Sequence, residues 1–400
     1  MNNFLYAPRE LLQKSLEVVV NLRSDDKTFQ PINELRIFVE RNSNTMLLQT
    51  HCSLKPAVVC ASIDITNGVT KDIDITLAAE PLLNCLTKNN KAMFVKITFE
   101  DMKLQIQPAL LEDGLFGSNE FTLPATSSSH EVIFQHTMLI TDYKSVVVNE
   151  PSSLSYRKGH LEVFKEVHAL ACASKKYNAA QFILSNVENS VRIELLSSDS
   201  YAHFVVLEHD VESDINVRLD SSQMKFLITA TEDLSKSQKG PLELLIIDQS
   251  ALVLSCQNIM CEFIPSSDMP FMAIPPKQHM KKGWYVESNE KLQNALSTIV
   301  VKTLDVEDIV EIYVQDGEIH FVQATLHAKG SFHTDSTSQV QQSANCPKVV
   351  VNRKQFLKAL MCFNKYEMIN IHGFLTKENQ LIIKSSNNDE ELIIISLSDA

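Results

Sequence analysis

The strongest constraint on this chain is one pattern of elements that occurs three times along it. A helical stretch with apolar residues three or four apart precedes three short segments in which apolar and polar residues alternate. A second helical stretch and a final pair of alternating segments follow. The second helices align on Leu83, Leu227 and Leu357, which are about 144 and 130 residues apart, and the first strands on Leu35, Phe182 and Ile312 give nearly the same spacing.

The pattern predicts six helices and fifteen strands. The predicted helices cover residues 11–19, 80–88, 161–170, 221–233, 292–300 and 353–363. The predicted three-strand groups cover residues 35–39, 45–49 and 57–61, then 181–184, 191–195 and 202–206, then 310–314, 318–322 and 328–332. The final strand pairs cover residues 94–99 with 103–107, 242–247 with 252–256, and 368–371 with 381–384.

A period of this length is too long for a solenoid repeat and suits whole domains. Two stretches have the composition of linkers, at residues 124–129 and 274–277. We therefore predict an α+β chain of three tandem domains, each with two helices packed on antiparallel sheet. The domains cover residues 1–126, 127–276 and 277–400, and residues 127–155 form an extended linker or an insertion.

The composition disfavours nucleotide-binding and catalytic folds. Only 9 of the 400 residues are glycine, against a typical share of roughly 7%, so few loops can hold phosphate against bare backbone. The motifs GxGxxG, GxxxxGK[ST] and GxSxG are absent from the sequence. The acidic pairs Asp72 with Asp74 and Asp305 with Asp308 fall on strand or turn positions and are expected to be solvated. We predict a protein that is not an enzyme and has no cofactor.

The metal-ligating residue types do not form a recognisable site. His130 begins a stretch that resembles a zinc helix, but the residue four positions on is not histidine. His327 and His333 have no acidic or cysteine partner at matching spacing. Cys256 and Cys261 are five residues apart, which is not the spacing of a zinc knuckle, and we expect both to be packing residues. No metal is predicted.

Charge and cysteine usage indicate a cellular compartment. The 36 basic and 49 acidic residues give a net charge of −13, which argues against a surface uniformly covered in nucleic-acid contacts but allows one basic surface. The eight cysteines include no CxxC pair, and no apolar run is long enough to cross a bilayer. We expect a cytoplasmic protein with reduced thiols and no membrane association.

Three stretches resemble the bacterial-type DNA sliding clamp, the beta subunit of the replicative DNA polymerase. They are Leu82–Leu86 with Phe94–Ile97 and Phe121–Ala125, then Leu196–Ala202, then Val349–Lys365 with Met368–Ile371. The resemblance covers nearly the whole chain and implies two protomers closed head to tail into a six-domain ring, with helices lining the hole. It further implies a nucleoid-associated processivity factor that slides on duplex DNA without reading its sequence.

Channel-facing helices should carry basic residues opposite their apolar stripes, and this provides an independent test of the resemblance. Each basic residue of the six helices is either a phosphate contact or an ordinary solvated side chain. The candidate DNA-binding residues are Arg9, Lys14, Lys88, Lys91, Arg157, Lys158, Lys165, Lys225, Lys236, Lys291, Lys302, Arg353, Lys354, Lys358 and Lys365.

The resemblance also implies an apolar pocket between the second and third domains that receives short hydrophobic peptides. The implied partners are the replicative polymerase, the clamp loader and repair proteins. The matching positions, each of which could instead be plain core, are Tyr201, Ala202, Phe204, Pro270, Ile274, Ile394, Ile395 and Leu397.

This chain departs from the family at two places in that pocket. It has Asp199-Ser200-Tyr201-Ala202 where the family commonly has Asp-Gly-His-Arg, and its C-terminal tail differs from the family's Met-Pro-Met-Arg-Leu-like ending. Two alternatives therefore stay open. One is a clamp-like accessory or repair protein with different partners, and the other is a three-domain interaction protein that does not bind DNA.

Overall fold

The computed structural model describes the residues that form the helices, the strands and several of their connections. They are residues 4–21, 34–50, 57–66, 69–88, 92–100, 103–111, 114–115, 121–124, 126–127, 144–145, 154–173, 180–187, 190–197, 199–208, 216–237, 242–247, 251–263, 283–286, 289–298, 308–315, 318–323, 348–363, 371–375, 380–385 and 391–396.

The first copy of the pattern folds into two helices and two antiparallel sheets. In chain order its elements are β1 (Phe4–Pro8), α1 (Arg9–Asn21), β2 (Glu34–Val39), β3 (Thr45–Thr50), β4 (Ala57–Asp64), β5 (Ile73–Ala78), α2 (Ala79–Lys88), β6 (Phe94–Glu100), β7 (Lys103–Leu111), β8 (Gly114–Leu115) and β9 (Phe121–Pro124). One sheet has the order β5-β2-β3-β4. The other has the order β1-β6-β7-β8, with β9 also paired to β7. The two helices pack on each other.

The second copy repeats this arrangement. Its elements are β10 (Thr126–Ser127), β11 (Lys144–Ser145), α3 (Leu154–Ala173), β12 (Gln181–Val187), β13 (Ser190–Leu196), β14 (Ser200–Glu208), β15 (Asn216–Asp220), α4 (Ser221–Ser237), β16 (Leu242–Ile247), β17 (Ala251–Cys256) and β18 (Ile259–Phe263). The strand orders are β15-β12-β13-β14 and β11-β16-β17-β18, and β10 pairs with β5 of the first copy.

The third copy has the same order wherever the structure describes it. Its elements are β19 (Gly283–Val286), α5 (Asn289–Thr298), β20 (Ile309–Gln315), β21 (Glu318–Gln323), β22 (Val349–Asn352), α6 (Arg353–Met361), β23 (Ile371–Leu375), β24 (Gln380–Ser385) and β25 (Leu392–Ser396). The strand orders are β22-β20-β21 and β19-β23-β24-β25. The predicted strand at residues 328–332 lies outside the described residues.

The predicted α+β class, the six helices and the threefold repeat are confirmed, with three additions. One is a further strand or strands after each final pair, namely β8 with β9, then β18, then β25. Each copy has a further strand directly before its second helix, namely β5, β15 and β22, and a further strand before its first helix. The strands β5, β15 and β22 were not predicted, and each is followed directly by its helix with no loop residue in between. Of the strand expected at residues 368–371, the structure describes only Ile371, the first residue of β23, and residues 368–370 lie outside the described residues.

Two of the sheets continue from one copy into the next. The third meander strand of the first copy, β4, pairs with β18 of the second, placing Ala61 opposite Ile259. In the same way β14 of the second copy pairs with β25 of the third, placing Tyr201 opposite Ile394. The chain therefore clusters into two compact units, residues 1–151 with 226–265 and residues 152–225 with 266–400. The division into three domains stays a prediction.

Side chains cap the second helices of the last two copies. At the start of α4, the Asp220 carboxylate accepts from the Gln223 N–H at 2.8 Å, and the Gln223 side-chain oxygen accepts from the Asp220 N–H at 3.0 Å. This reciprocal pair is a capping box. At the start of α6, the Asn352 side chain accepts from the Gln355 N–H at 3.0 Å. These caps fix where strand changes to helix.

An ion pair joins both helices of the third copy to its meander. Arg353, the first residue of α6, donates from Nε to Asp308 Oδ1 at 2.7 Å and from Nη2 to Oδ2 at 2.9 Å. Its Nη1 also donates to the Leu296 carbonyl of α5 at 3.2 Å. In the first copy Asp74 similarly accepts from the almost fully buried Arg36. Asp74 and Asp308 therefore serve as ion-pair partners, which corrects the expectation that they are simply solvated.

Removal of the Arg353 guanidinium should destabilise the third copy. The Arg353 and Asp308 side chains are 18% and 25% exposed, so the pair is only partly screened by water. We expect Arg353→Ala to lower the free energy of unfolding by about 1 to 3 kcal/mol, because it leaves a half-buried carboxylate without its partner. Urea denaturation measures this change.

The neighbouring residue provides the matched control. Lys354 is exposed, so Lys354→Ala should change the free energy of unfolding by less than about 0.5 kcal/mol. Arg353→Lys keeps the charge but loses the two-pronged geometry, and should lie between the two. Equal stability of the Arg353→Ala and Lys354→Ala variants would contradict a stabilising role for the ion pair between Arg353 and Asp308.

Among the described residues, no helix is long and apolar enough to cross a lipid bilayer.

Candidate functional sites

Five of the candidate DNA-binding lysines are exposed on the described helices, and one of them, Lys14, pairs with Glu10. Of the other four, Lys88 lies in the last turn of α2, Lys225 and Lys236 lie on α4, and Lys354 lies in the first turn of α6. Each stands on a helix whose opposite stripe is buried, as Met224, Leu227 and Leu234 are on α4. These four lysines place positive charge where a phosphate could reach it.

Two of the candidate arginines are held by the fold. Arg353 is bound to Asp308 as described above. Arg9, the first residue of α1, donates from Nε to the Ala92 carbonyl at 2.8 Å and from Nη1 to Gln13 Oε1 at 2.6 Å. The Arg9 side chain therefore ties α1 to the segment before β6. Both arginines start helices, and their donors are directed at protein acceptors.

Three further candidates have partners close by on the helices. Lys14 pairs with Glu10 one turn away at 2.6 Å on an exposed surface, and Lys165 lies 3.5 Å from Glu162. Lys14 lowers the pKa of the Glu10 carboxyl through a hydrogen bond and its charge. Lys358 is half-buried, and its Nζ lies 3.6 Å from the sulfur of Met361.

The remaining basic candidates lie outside the described side chains. Arg157 and Lys158 belong to α3 and Lys291 to α5, as expected, but the structure describes only the backbone there. Lys91, Lys302 and Lys365 lie outside the described residues altogether.

The candidate peptide site centres on the junction between β14 and β25. The pleat divides its residues between two faces. Ala202, Phe204 and Ile395 are fully buried in the core, and Phe204 packs against Phe363 at 5.3 Å between ring centroids. Tyr201 and Ile394 stand opposite each other on the other face. Pro270, Ile274 and Leu397 lie outside the described residues.

Three polar residues around Tyr201 were not predicted from the sequence. His203 Nδ1 lies 3.0 Å from Glu194 Oε1, and Arg192 Nη1 lies 3.5 Å from His203 Nε2. The Tyr201 hydroxyl donates to the same Glu194 oxygen at 3.5 Å. Alternation along β13 and β14 was the available signal, since these residues occupy the same face as Tyr201.

This surrounding changes the acidity of Tyr201. Burial raises the pKa of its hydroxyl, and the negative charge of Glu194 and the hydrogen bond to it raise the pKa further. Tyr201 therefore remains a neutral hydrogen-bond donor across the physiological range. Next to Ile394 it presents an apolar ring with one polar tip, which suits recognition of an extended peptide.

No group of three or more His, Cys, Asp or Glu residues in the described part of the chain is placed to hold a metal ion. Cys256 and Cys261 are buried on β17 and β18 and form no disulfide, which confirms their prediction as packing residues. His130, His327 and His333 lie outside the described residues.

Comparison with solved structures identifies the class of fold. No protein-family model and no curated protein sequence matches the chain. The DNA polymerase III beta subunit of Pseudomonas aeruginosa superimposes with a TM-score of 0.70 at 13% identity, covering 99% of this chain and 100% of that one. The chain thus has the fold of a sliding clamp.

Two further solved clamps show the same likeness. The DNA polymerase III beta subunit of Thermotoga maritima has a TM-score of 0.66 at 14% identity, covering 99% of both chains. That of Borrelia burgdorferi, in complex with a natural product, has a TM-score of 0.62 at 13% identity, covering 100% of this chain and 99% of that one. Along its full length, this chain therefore has the fold of the DNA polymerase III beta subunit.

The raised pKa of Tyr201 predicts a specific pH dependence of stability. The folded protein holds the phenolic proton more tightly than the unfolded chain, so stability should fall as the pH rises above about 10. Tyr201→Phe should remove this contribution and lose less stability between about pH 8 and pH 11. Urea denaturation at both pH values measures the difference. Tyr313→Phe, at a tyrosine of another sheet, is the control, and identical losses in the two variants would contradict the prediction.

Proposed function

We propose that this protein is a DNA sliding clamp, a processivity factor that encircles duplex DNA as a head-to-tail homodimer. It catalyses no reaction itself. It holds the replicative polymerase at a high local concentration near the primer end by tethering it to a ring. The clamp fold along the full chain and the basic helix residues both support this proposal.

The pairing of copies supports the ring most directly. In the first two copies, the third meander strand pairs with the last strand of the following copy. The strand that corresponds to β4 and β14 in the third copy is the one predicted at residues 328–332. If this strand also pairs with the last strand of a neighbouring copy, its partner would be β9 of a second protomer. Two such junctions, one at each end of the pair of protomers, would close a dimeric ring. In such a ring each of these edge strands is paired, so it cannot pair non-specifically with other chains.

The charge distribution supports duplex DNA as the ligand. The chain carries a net charge of −13, yet Lys88, Lys225, Lys236 and Lys354 are exposed on helices. Lysines collected on the helices would attract phosphates inward, while an acidic outer wall would repel them. Such contacts are independent of base sequence, which sliding requires.

The junction of Tyr201 and Ile394 is the proposed docking site for partner peptides. The polymerase, the clamp loader and repair proteins would bind there through short hydrophobic motifs. A solved sliding clamp from Pseudomonas aeruginosa is bound to griselimycin, so at least one protein with this fold binds a ligand of that kind. The proposed location is the cytoplasm, in association with the nucleoid.

Retention on DNA of different topology tests the ring. The protein is loaded by its clamp loader and ATP onto a nicked circle, the same DNA linearised, and linear DNA with both ends blocked by streptavidin. A wash at high salt then removes contacts that depend on phosphate neutralisation. We expect the protein to stay on the circle and the blocked linear DNA and to leave the open linear DNA.

Light scattering provides the second measurement, with a dimer of the 45.0 kDa chain as the expected species. A monomer that leaves all three DNAs equally would overturn the proposal and leave a three-domain interaction protein. A dimer retained as expected but unable to stimulate the replicative polymerase would indicate a clamp-like accessory or repair protein.

Charge reversal of the helix lysines tests the DNA contacts separately. Combining Lys88→Glu, Lys225→Glu, Lys236→Glu and Lys354→Glu should weaken binding to a short duplex at low salt. Each lost phosphate contact should reduce the slope of log affinity against log salt by about 0.9. Fluorescence anisotropy measures both quantities.

The control reverses two exposed lysines away from the helices, Lys71 before β5 and Lys103 at the start of β7. Lys71→Glu with Lys103→Glu should leave the salt slope unchanged. The contrary outcome is that the helix and control variants weaken DNA binding equally for each lysine reversed. In that case DNA affinity depends only on the net charge of the protein, and the assignment of the helix lysines as DNA contacts is wrong.

A further inference from the structure

A groove of about 540 Å³ lies on the first-copy meander, far along the chain from the Tyr201 junction. It is lined by residues of β2, β3, β4 and β18, all within one compact unit. Its floor is apolar and consists of Phe38, Leu47, Cys60 and Met260. A volume of this size is within the range of pockets that bind small ligands or one or two large side chains.

The strand register places the floor residues on one face of the sheet. Phe38 stands opposite Leu47, and Cys60 stands opposite Met260. The residues between them point to the other face, where Val39, Leu48 and Ala61 are fully buried. The groove is therefore separate from the core of the first copy.

Two carboxylates stand at one end of the groove. Asp64 lies opposite Thr45 on the neighbouring strand, and Glu40 follows the end of β2. Both are exposed, and both line the groove. Within the described part of the chain no ion pair neutralises either of them. The groove thus combines an apolar floor with a negative rim.

The wall beside the carboxylates is held in place by hydrogen bonds. The Asn258 side chain donates from Nδ2 to the Ser15 hydroxyl at 2.8 Å and to the Ser62 carbonyl at 2.9 Å. The Ser62 N–H in turn donates to the Asn258 carbonyl at 2.8 Å. These bonds fix the turn between β17 and β18 against β4 and α1, so this wall is formed before any ligand arrives.

We infer that this groove binds a short segment of a partner protein that carries a bulky apolar side chain flanked by lysine or arginine. The apolar side chain fills the floor over Leu47 and Met260, and a flanking cation meets Asp64 and Glu40. Charge complementarity selects this partner over a neutral or acidic one. The inference does not depend on the proposed clamp function.

The groove differs in position from the proposed site at Tyr201. The junction of β4 with β18 is the first-copy counterpart of the junction of β14 with β25. Tyr201 is near the beginning of β14, whereas Ser62 and Asp64 are at the end of β4. The two sites thus use opposite ends of equivalent junctions.

Fluorescence anisotropy with the full chain tests the inference. The probe is a labelled peptide Lys-Lys-Phe-Leu-Lys-Lys, compared with Glu-Glu-Phe-Leu-Glu-Glu and with Lys-Lys-Ser-Ser-Lys-Lys. We expect measurable binding of the first peptide alone. Combining Glu40→Gln with Asp64→Asn should weaken it about fivefold, since each exposed charge contributes modestly. Met260→Lys, which places a like charge on the floor, should weaken it further.

The matched control combines Glu80→Gln with Glu290→Gln, which removes two exposed carboxylates on α2 and α5. This variant should bind the first peptide as the unmodified protein does. No binding of the first peptide up to about 1 mM, equal binding of all three peptides, or equal effects of the groove and control variants would overturn the inference. Retention of the groove variants on circular DNA is a separate readout, so failure here leaves the clamp proposal unaffected.

Discussion

The structure depends on one constraint, that the exposed edge of each meander must find a partner strand. An unpaired edge presents a row of N–H and C=O groups that would pair with other chains. The first two copies satisfy this constraint with the last strand of the next copy, through β4 with β18 and β14 with β25. Tandem copies of one domain therefore form continuous sheets, and the compact units of the chain do not coincide with the sequence repeats.

The same junctions position both candidate peptide sites. Where two copies share a sheet, strands distant in sequence bring side chains together on one face of it, as Tyr201 and Ile394 show. The first junction likewise brings Cys60 and Met260 together, although they are 200 residues apart in the chain. Junctions between repeats can thus differ in chemistry while keeping the same backbone pairing, because the backbone hydrogen bonds do not specify the side chains.

Two groups of basic residues on the described helices differ in their surroundings. The arginines that begin α1 and α6 bind protein acceptors, because the guanidinium can satisfy several acceptors at once and tie a helix start to its neighbours. The exposed lysines keep a compact charge at the end of a flexible stem, which suits transient phosphate contacts. A count of basic residues on helices does not separate these groups, since the partners Ala92 and Asp308 are distant in sequence from the arginines they bind.

The sequence by itself determined the helices, most strands and the threefold repeat, because apolar periodicity and turn residues act locally and recur at matching positions. It also indicated that Cys256 and Cys261 are packing residues. Only the tertiary structure decided which copies share a sheet, that Asp74 and Asp308 hold arginines, and that Ala202 and Phe204 face the core while Tyr201 does not. Each of these depends on strand register and on contacts between residues far apart in the chain, and local pattern carries no information about either.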